Sequence, residues 1–264
     1  MPEVSHHSHH DALHLHDEVE SLASKVLSVL ASKASLSDHA VDGEILDKFC
    51  AAILQRSATI DAGALAELRA NGLSISIILD GYIPEAARAL GQRWADDELS
   101  FAEVTIGVAR LQAILRDLGR LWTMDGAADP KAPNIMIVVP LDEFHTLGGM
   151  TAASQFRRLG LSVCLCLGLP EDEILQKLGT RRFDMIALSA SASAKLDSLH
   201  NLVKNVRQAS AWAAPIVLGG TVLERGKDVK ALTGVDFATS DPKEALRLCG
   251  LKTALAALAR PEAD

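Results

Sequence analysis

Glu143-Phe144-His145-Thr146-Leu147-Gly148 is the stretch of this chain best equipped for chemistry. It follows an apolar, β-branched run over 134–140, which reads as a buried strand running into a loop. A histidine there sits at the carboxyl end of a parallel strand, where open α/β sheets bind their ligands. Glu143, two positions earlier, can accept the hydrogen of one ring nitrogen of His145. That fixes the tautomer and makes the other nitrogen a better metal donor. Gly148 lets the backbone come close to something bulky. Asp142 should point the other way, as a solvated acid.

Two further places matter downstream. Ser189, Ser191 and Ser193 end the apolar run Ile186-Ala-Leu-Ser-Ala-Ser-Ala-Ser193, and Gly219-Gly220 ends Ile216-Val-Leu-Gly-Gly-Thr221. Each taken singly has a plain structural explanation, since strands often end in polar residues and strand-to-helix turns often need glycine.

Together these residues resemble a known signature. Glu-x-His-x-x-Gly is similar to the Asp-x-His-x-x-Gly motif of cobalamin-binding domains, with Glu143 in place of Asp. The family's Ser-x-Leu segment aligns with Ser189-Ala190-Ser191, and its Gly-Gly with Gly219-Gly220. The resemblance implies His145 as lower ligand to cobalt. It also implies a slot beside the sheet, kept open by small residues, for the displaced nucleotide tail. The implied cofactor contacts there are Glu143, Thr146, Leu147, Gly148, Ser189, Ser191, Ser193, Gly219 and Gly220.

Elements that position these residues are legible in the periodicity. From about Asp17 to Trp122 apolar residues recur every three or four positions, as in helices. Windows over Asp17–Lys33, Gly43–Arg56 and Asp61–Asn71 are followed by a short one at Leu73–Asp80. Pro84 then stands in the first turn of a helix whose apolar stripe is Ile83, Ala87, Leu90 and Trp94. Ser100 and Glu103 form a capping box opening a helix with Phe101, Val104, Val108, Leu111, Leu115, Leu118 and Trp122 on one face, a bundle-core pattern. Residues 126–133, with two prolines and a glycine, read as a linker. Beyond it strands at Ile135–Val139, Ser162–Leu167, Met185–Ser189, Ile216–Leu218 and Asp236–Ala238 alternate with helices at Gly148–Leu159, Glu171–Leu178, Lys195–Gln208, Val222–Ala231 and Pro242–Leu258. Five such βα units predict a right-handed, flavodoxin-like parallel sheet covered on both faces. The expected organisation is a tail (1–16), a helical bundle cap (17–125), a linker (126–133) and a Rossmann-like α/β domain (134–264).

Composition narrows the function. The net charge is −8 and no long basic run occurs, which argues against a DNA-binding surface of the chain's own. No apolar stretch is long enough to span a bilayer, no signal-peptide core is present, and a cytoplasmic protein is expected. Cys50, Cys164, Cys166 and Cys249 form no CxxC pair and read as buried thiols. Six of the nine histidines lie in residues 1–16, a polar segment that reads as a flexible tail.

The helical half carries a second resemblance. Caps over the upper corrin face in one photoreceptor branch carry Trp, nine residues, then Glu-His. Here Trp94 matches, and Val104 and Thr105 occupy the Glu-His positions. Trp94 is therefore expected at the corrin, in the helical core, or both, and Val104 and Thr105 are the further cofactor contacts that the resemblance implies. The wording from Trp94 to Gly107, with Arg110-Leu-Gln112, resembles the AerR/PpaA group of regulators. That implies a non-enzymatic, light-responsive photoreceptor and antirepressor of photosynthesis genes. It would bind adenosyl-, methyl- or hydroxocobalamin and a DNA-binding repressor protein. Two alternatives share the fold: a corrinoid methyl carrier serving separate methyltransferases, and a heme sensor ligated through His145.

Overall fold

In the computed structural model, residues 41–55, 60–124, 132–192, 194–210, 212–225 and 228–252 are described. The histidine-rich segment, the helix expected at Asp17–Lys33, Ser193, most of the linker and the residues after 252 lie outside them; the helix expected over Pro242–Leu258 ends at Leu248, where Gly250 at φ +68° turns the chain away.

The amino-terminal part is helical. Helices α1 (Gly43–Leu54) and α2 (Ile60–Ala70) lead into a single turn, α3 (Ile75–Ile77). Asp42 caps α1 by accepting from the amides of Glu44 and Ile45, at 2.9 and 3.1 Å. After α3 the expected break is absent. A π-helical turn over Ile78–Tyr82 carries the chain straight into α4 (Ile83–Ala95). Pro84 explains the widened turn. Proline has no N–H for the carbonyl of Asp80, four residues back, and its ring crowds that carbonyl; the amide before it, of Ile83, reaches Ile78, five residues back. Helix α5 (Phe101–Met124) opens on the expected capping box: Ser100 N donates to Glu103 Oε2 at 2.8 Å, and Glu103 N donates to Ser100 Oγ at 3.3 Å. Its stripe faces the core from Val104 to Leu118, but Phe101 is 43% exposed. Phe101 meets Trp94 edge to face, with centroids 6.4 Å apart.

The carboxyl-terminal part is a five-stranded, wholly parallel sheet in the order β2-β1-β3-β4-β5. Its strands are β1 (Asn134–Val139), β2 (Ser162–Leu167), β3 (Met185–Ser189), β4 (Ile216–Gly219) and β5 (Phe237–Ala238). The helices are α6 (Thr146–Arg158), α7 (Glu171–Thr180), α8 (Leu196–Ala209), α9 (Val229–Thr233) and α10 (Pro242–Leu248). The helix expected over 222–231 is replaced by a 3₁₀ turn (Thr221–Arg225) and the short α9, which Asp228 caps through the Ala231 amide.

Alternation along β1 explains the two buried layers. Ile135 and Ile137 pack with Phe156, Met185 and Val217 toward α6 and α10. Met136 and Val138 pack with Ile174, Ile186 and Leu199 toward α7 and α8. A third apolar cluster fills the helical region and takes in Leu147 and Met150 of α6, so the first half of α6 docks the helices to the sheet. The architecture matches the sequence expectation of a helical region followed by a Rossmann-like parallel sheet. No helix among the described residues is long and apolar enough to cross a membrane.

Candidate cobalamin site

Helix α6 starts at Thr146, two residues earlier than the pattern suggests, so His145 is the residue at its amino end. This holds the ring close to the sheet edge rather than on a free loop. His145 and Glu143 are both buried, 9% and 7% exposed. The Nδ1 of His145 meets Glu143 Oε1, and the His145 amide donates to that same oxygen at 3.1 Å. The other carboxylate oxygen accepts from the Ser191 amide at 2.7 Å, and the Ser191 hydroxyl bonds to Glu143 too. Burial pushes the Glu143 carboxyl up, but the bonds from His145 and Ser191 together outweigh it and hold it below its usual value. The result is an anion clamped from three directions that presents one face of the imidazole. The Nε2 of His145 is buried without a hydrogen-bond partner. A buried ring nitrogen with no partner is costly unless something ligates it. This atom therefore fits a metal donor whose companion nitrogen is already held.

The fold places this histidine well. In the order β2-β1-β3, the chain leaves β1 for one side and β3 for the other, which is the topological switch point.

A narrow slot runs beside it, between α6, α10 and the carboxyl ends of the strands. Leu147, Gly148, Ser189, Gly219 and Gly220 all line it. Ser189 and Gly219 are register partners on neighbouring strands. Gly220 has φ +96°, and a Cβ there would stand 2.3 Å from the carbonyl oxygen of Ala190. That turn can be built only with glycine. Gly219 would bring a Cβ within 3.0 Å of the Thr239 carbonyl. The two glycines are thus required by the turns themselves, and they leave this wall of the slot without side chains.

Several expectations shift. Ser191 is 2% exposed and is bound to Glu143, so it supports the partner of His145 and is not among the residues lining the slot. Gly148 lies inside the first turn of α6, where a Cβ would only touch Ser189 Oγ at 3.6 Å. The glycine that close packing demands is its neighbour Gly149, whose Cβ would stand 2.5 Å from Val139 Cγ2. Val104 is 1% exposed and belongs to the helical core, which leaves it no surface for a ligand. Thr105 is exposed, with its hydroxyl donating to the Phe101 carbonyl at 2.7 Å. Trp94 is half-buried against the helical core. None of these three lines the slot or the pocket around His145. Asp142 is exposed, as expected of a solvated acid.

Sequence reasoning missed several residues. Thr221, directly after Gly219-Gly220, accepts from the Ala192 amide at 2.8 Å and ties the β3 and β4 loops together. Gln112 reaches Thr146 from α5. Arg88 of α4 lines the slot. Only Gln112 had any signal in the sequence, its place in the Arg-Leu-Gln wording. The arginine of that wording is explained locally: Arg110 Nη1 donates to the carbonyls of Ile53 and Gln55, at 2.5 and 2.6 Å, closing the end of α1.

No family model matches the chain. Its fold is that of the monomethylamine corrinoid protein of Methanosarcina barkeri, with a TM-score of 0.61 at 14% identity, over 79% of this chain and 98% of that one. By sequence it is 31% identical over 175 residues to a 20.5 kDa protein of the bchF-crtJ intergenic region of Rhodobacter capsulatus, covering 66% of this chain and 91% of the relative. On that identity and coverage the chain belongs to the family of the Rhodobacter capsulatus bchF-crtJ intergenic protein.

Proposed function

We propose that this chain is a cobalamin-binding, light-responsive regulator that acts by contacting a repressor protein of photosynthesis genes and is not itself an enzyme. The observation that carries the cofactor is the buried, unpartnered Nε2 of His145, whose other ring nitrogen is held by Glu143. The slot lined by Gly148, Ser189, Gly219 and Gly220 supports a cofactor with a detachable nucleotide tail. Heme has no such tail, and the slot leaves the heme reading without support. When bound, adenosyl- or methylcobalamin would supply a cobalt–carbon bond that light can break.

The chain's own residues do the rest. His145 would donate its Nε2 lone pair to the metal, and Glu143, fixed by Ser191, would keep the ring in the correct tautomer. The helices over 43–124 would form the cap, since α4 and α5 pack on α6 directly after the ligand. Such a cap can shift between two arrangements when its contacts with a cofactor change. The place of the relative between bchF and crtJ supports a role in photosynthesis gene control, as does the wording from Trp94 to Gln112.

Absorption spectra after desalting test this. The protein is mixed with adenosyl-, methyl- or hydroxocobalamin, in darkness and after illumination, beside His145→Ala. Retained corrin whose spectrum depends on His145 and on light is the expected result. Loss of corrin under every condition refutes the proposal. Retention without light dependence favours a second reading, a methyl carrier, which the fold of the Methanosarcina protein supports. Rapid methyl transfer to an added methyltransferase would then decide for it.

A further inference from the structure

The slot beside the sheet is not built from the sheet region alone. One wall comes from the helical region: Pro84, Ala87 and Arg88 line it across from Gly148, Ser189 and Gly220. Pro84, Ala87 and Arg88 lie at i, i+3 and i+4 on α4, which places them on one face of that helix.

The slot has two charged residues in its lining, Arg88 and Asp241. The Asp241 carboxylate is committed to capping α10, accepting from the Lys243 amide at 2.9 Å. Arg88 is the cation. Its side chain is 25% exposed, and burial lowers the guanidinium below its ordinary value, against the field of Glu224. Glu85, one turn earlier, pairs with it and fixes its direction. A guanidinium offers five N–H donors in a rigid fork and can serve two anions at once.

A second feature of the slot also points to a ligand. Thr151, on the next turn of α6 after Leu147, lines it and is 6% exposed, yet its Oγ1 has no hydrogen-bond partner. Buried hydroxyls are ordinarily satisfied. A partly desolvated arginine and an unsatisfied hydroxyl lining one slot, with glycines on its other wall, suit a monoanion attached to a flat group.

We propose that Arg88, supplied by the helical region, pairs with the phosphodiester of the cofactor's nucleotide tail, with Thr151 as its hydroxyl partner. This rests on the cobalamin reading above. It adds that the tail is read by the helical region as well as by the sheet, so a loaded slot draws the two regions together. Arg88 is then the residue that separates complete cobalamin from corrinoids lacking the nucleotide.

Equilibrium dialysis in the dark tests this, with hydroxocobalamin and with cobinamide, which carries the corrin but no phosphodiester or base. The proteins are wild type, Arg88→Met and Arg88→Lys. Arg88→Met should weaken cobalamin binding about 10- to 100-fold, the span of a charge-assisted hydrogen bond. Cobinamide binding should stay within about two-fold, and Arg88→Lys should fall between, because it keeps charge but loses the fork. Cobinamide binding also reports that Arg88→Met has folded. Equal losses for both corrinoids, or none for cobalamin, overturn the inference and leave the cofactor reading standing. A wild type that retains neither corrinoid overturns both.

Discussion

Gln112 Nε2 on α5 donates to Thr146 Oγ1 at 3.0 Å, so the helical region is bonded to the residue directly after His145. A change in the position of α5 therefore acts on the first turn of α6 and on the ring it carries. Gln112→Leu removes the bond while keeping the bulk. The expected cost is about 1 kcal/mol, or roughly 2–4 °C in melting temperature. Faster amide exchange over 145–148 should accompany it. If exchange there is unchanged, the bond does not hold the ligand loop.

A second link between the regions joins Arg158 at the end of α6 to Asp80 in the π-helical turn, with side chains 10% and 19% exposed. Removing one partner leaves a mostly buried charge alone, at about 2–4 kcal/mol. Asp80→Asn should destabilise by that amount, and Asp80→Asn with Arg158→Met by less than the sum of the two single changes. A double-mutant cycle by chemical denaturation reads the coupling. Strict additivity would mean that the pair contributes nothing across the boundary.

How far the sequence reaches depends on whether a feature is local. Strand positions were legible because apolar runs of five or six residues stood between turn residues, and β2 and β3 fall where the pattern put them. The capping box at Ser100 and the acid beside His145 involve residues two or three apart, and both took the expected geometry. Features that need a distant partner were not legible. Ser191 looked like a ligand contact because nothing local shows that its amide lies against a carboxylate forty-eight positions back. Gly149 carried no signal in the sequence because the obstacle, Val139, lies on the strand beneath it. The wall formed by Arg88 exists only once α4 has packed beside the sheet.

The thiols offer a check on burial. Burial pushes Cys50 up to about 11 and Cys166 up to about 12, the latter also through Cys164. Cys249 is raised to about 11 by burial and by Asp236. A raised thiol stays protonated at pH 8, and the thiolate is the nucleophile. Cys50 and Cys166 should therefore resist iodoacetamide at pH 8 in the folded protein and react fully in denaturant, as mass spectrometry will show. Rapid native alkylation of Cys50 would contradict its packing against Ile53 and the helical core.

Blocking the slot requires the right glycine. Gly220 is the obvious choice and a poor one: at φ +96°, with Ala190 O 2.3 Å from a Cβ, any side chain rebuilds the turn, at about 1–3 kcal/mol. Lost binding would then report a damaged loop. Gly148 separates the two effects. It lines the same slot, lies in a helix, and would bring a Cβ only into ordinary contact with Ser189 Oγ at 3.6 Å. Gly148→Leu should favour α6 by about 1 kcal/mol, since leucine loses less freedom in a helix than glycine. The longer side chain should fill the space proposed for the nucleotide base. Cobalamin affinity should fall by at least about 10-fold, the equivalent of one 1.4 kcal/mol step, while cobinamide binding and melting temperature hold or rise. Unchanged cobalamin affinity in this stable variant would place the tail somewhere other than this slot.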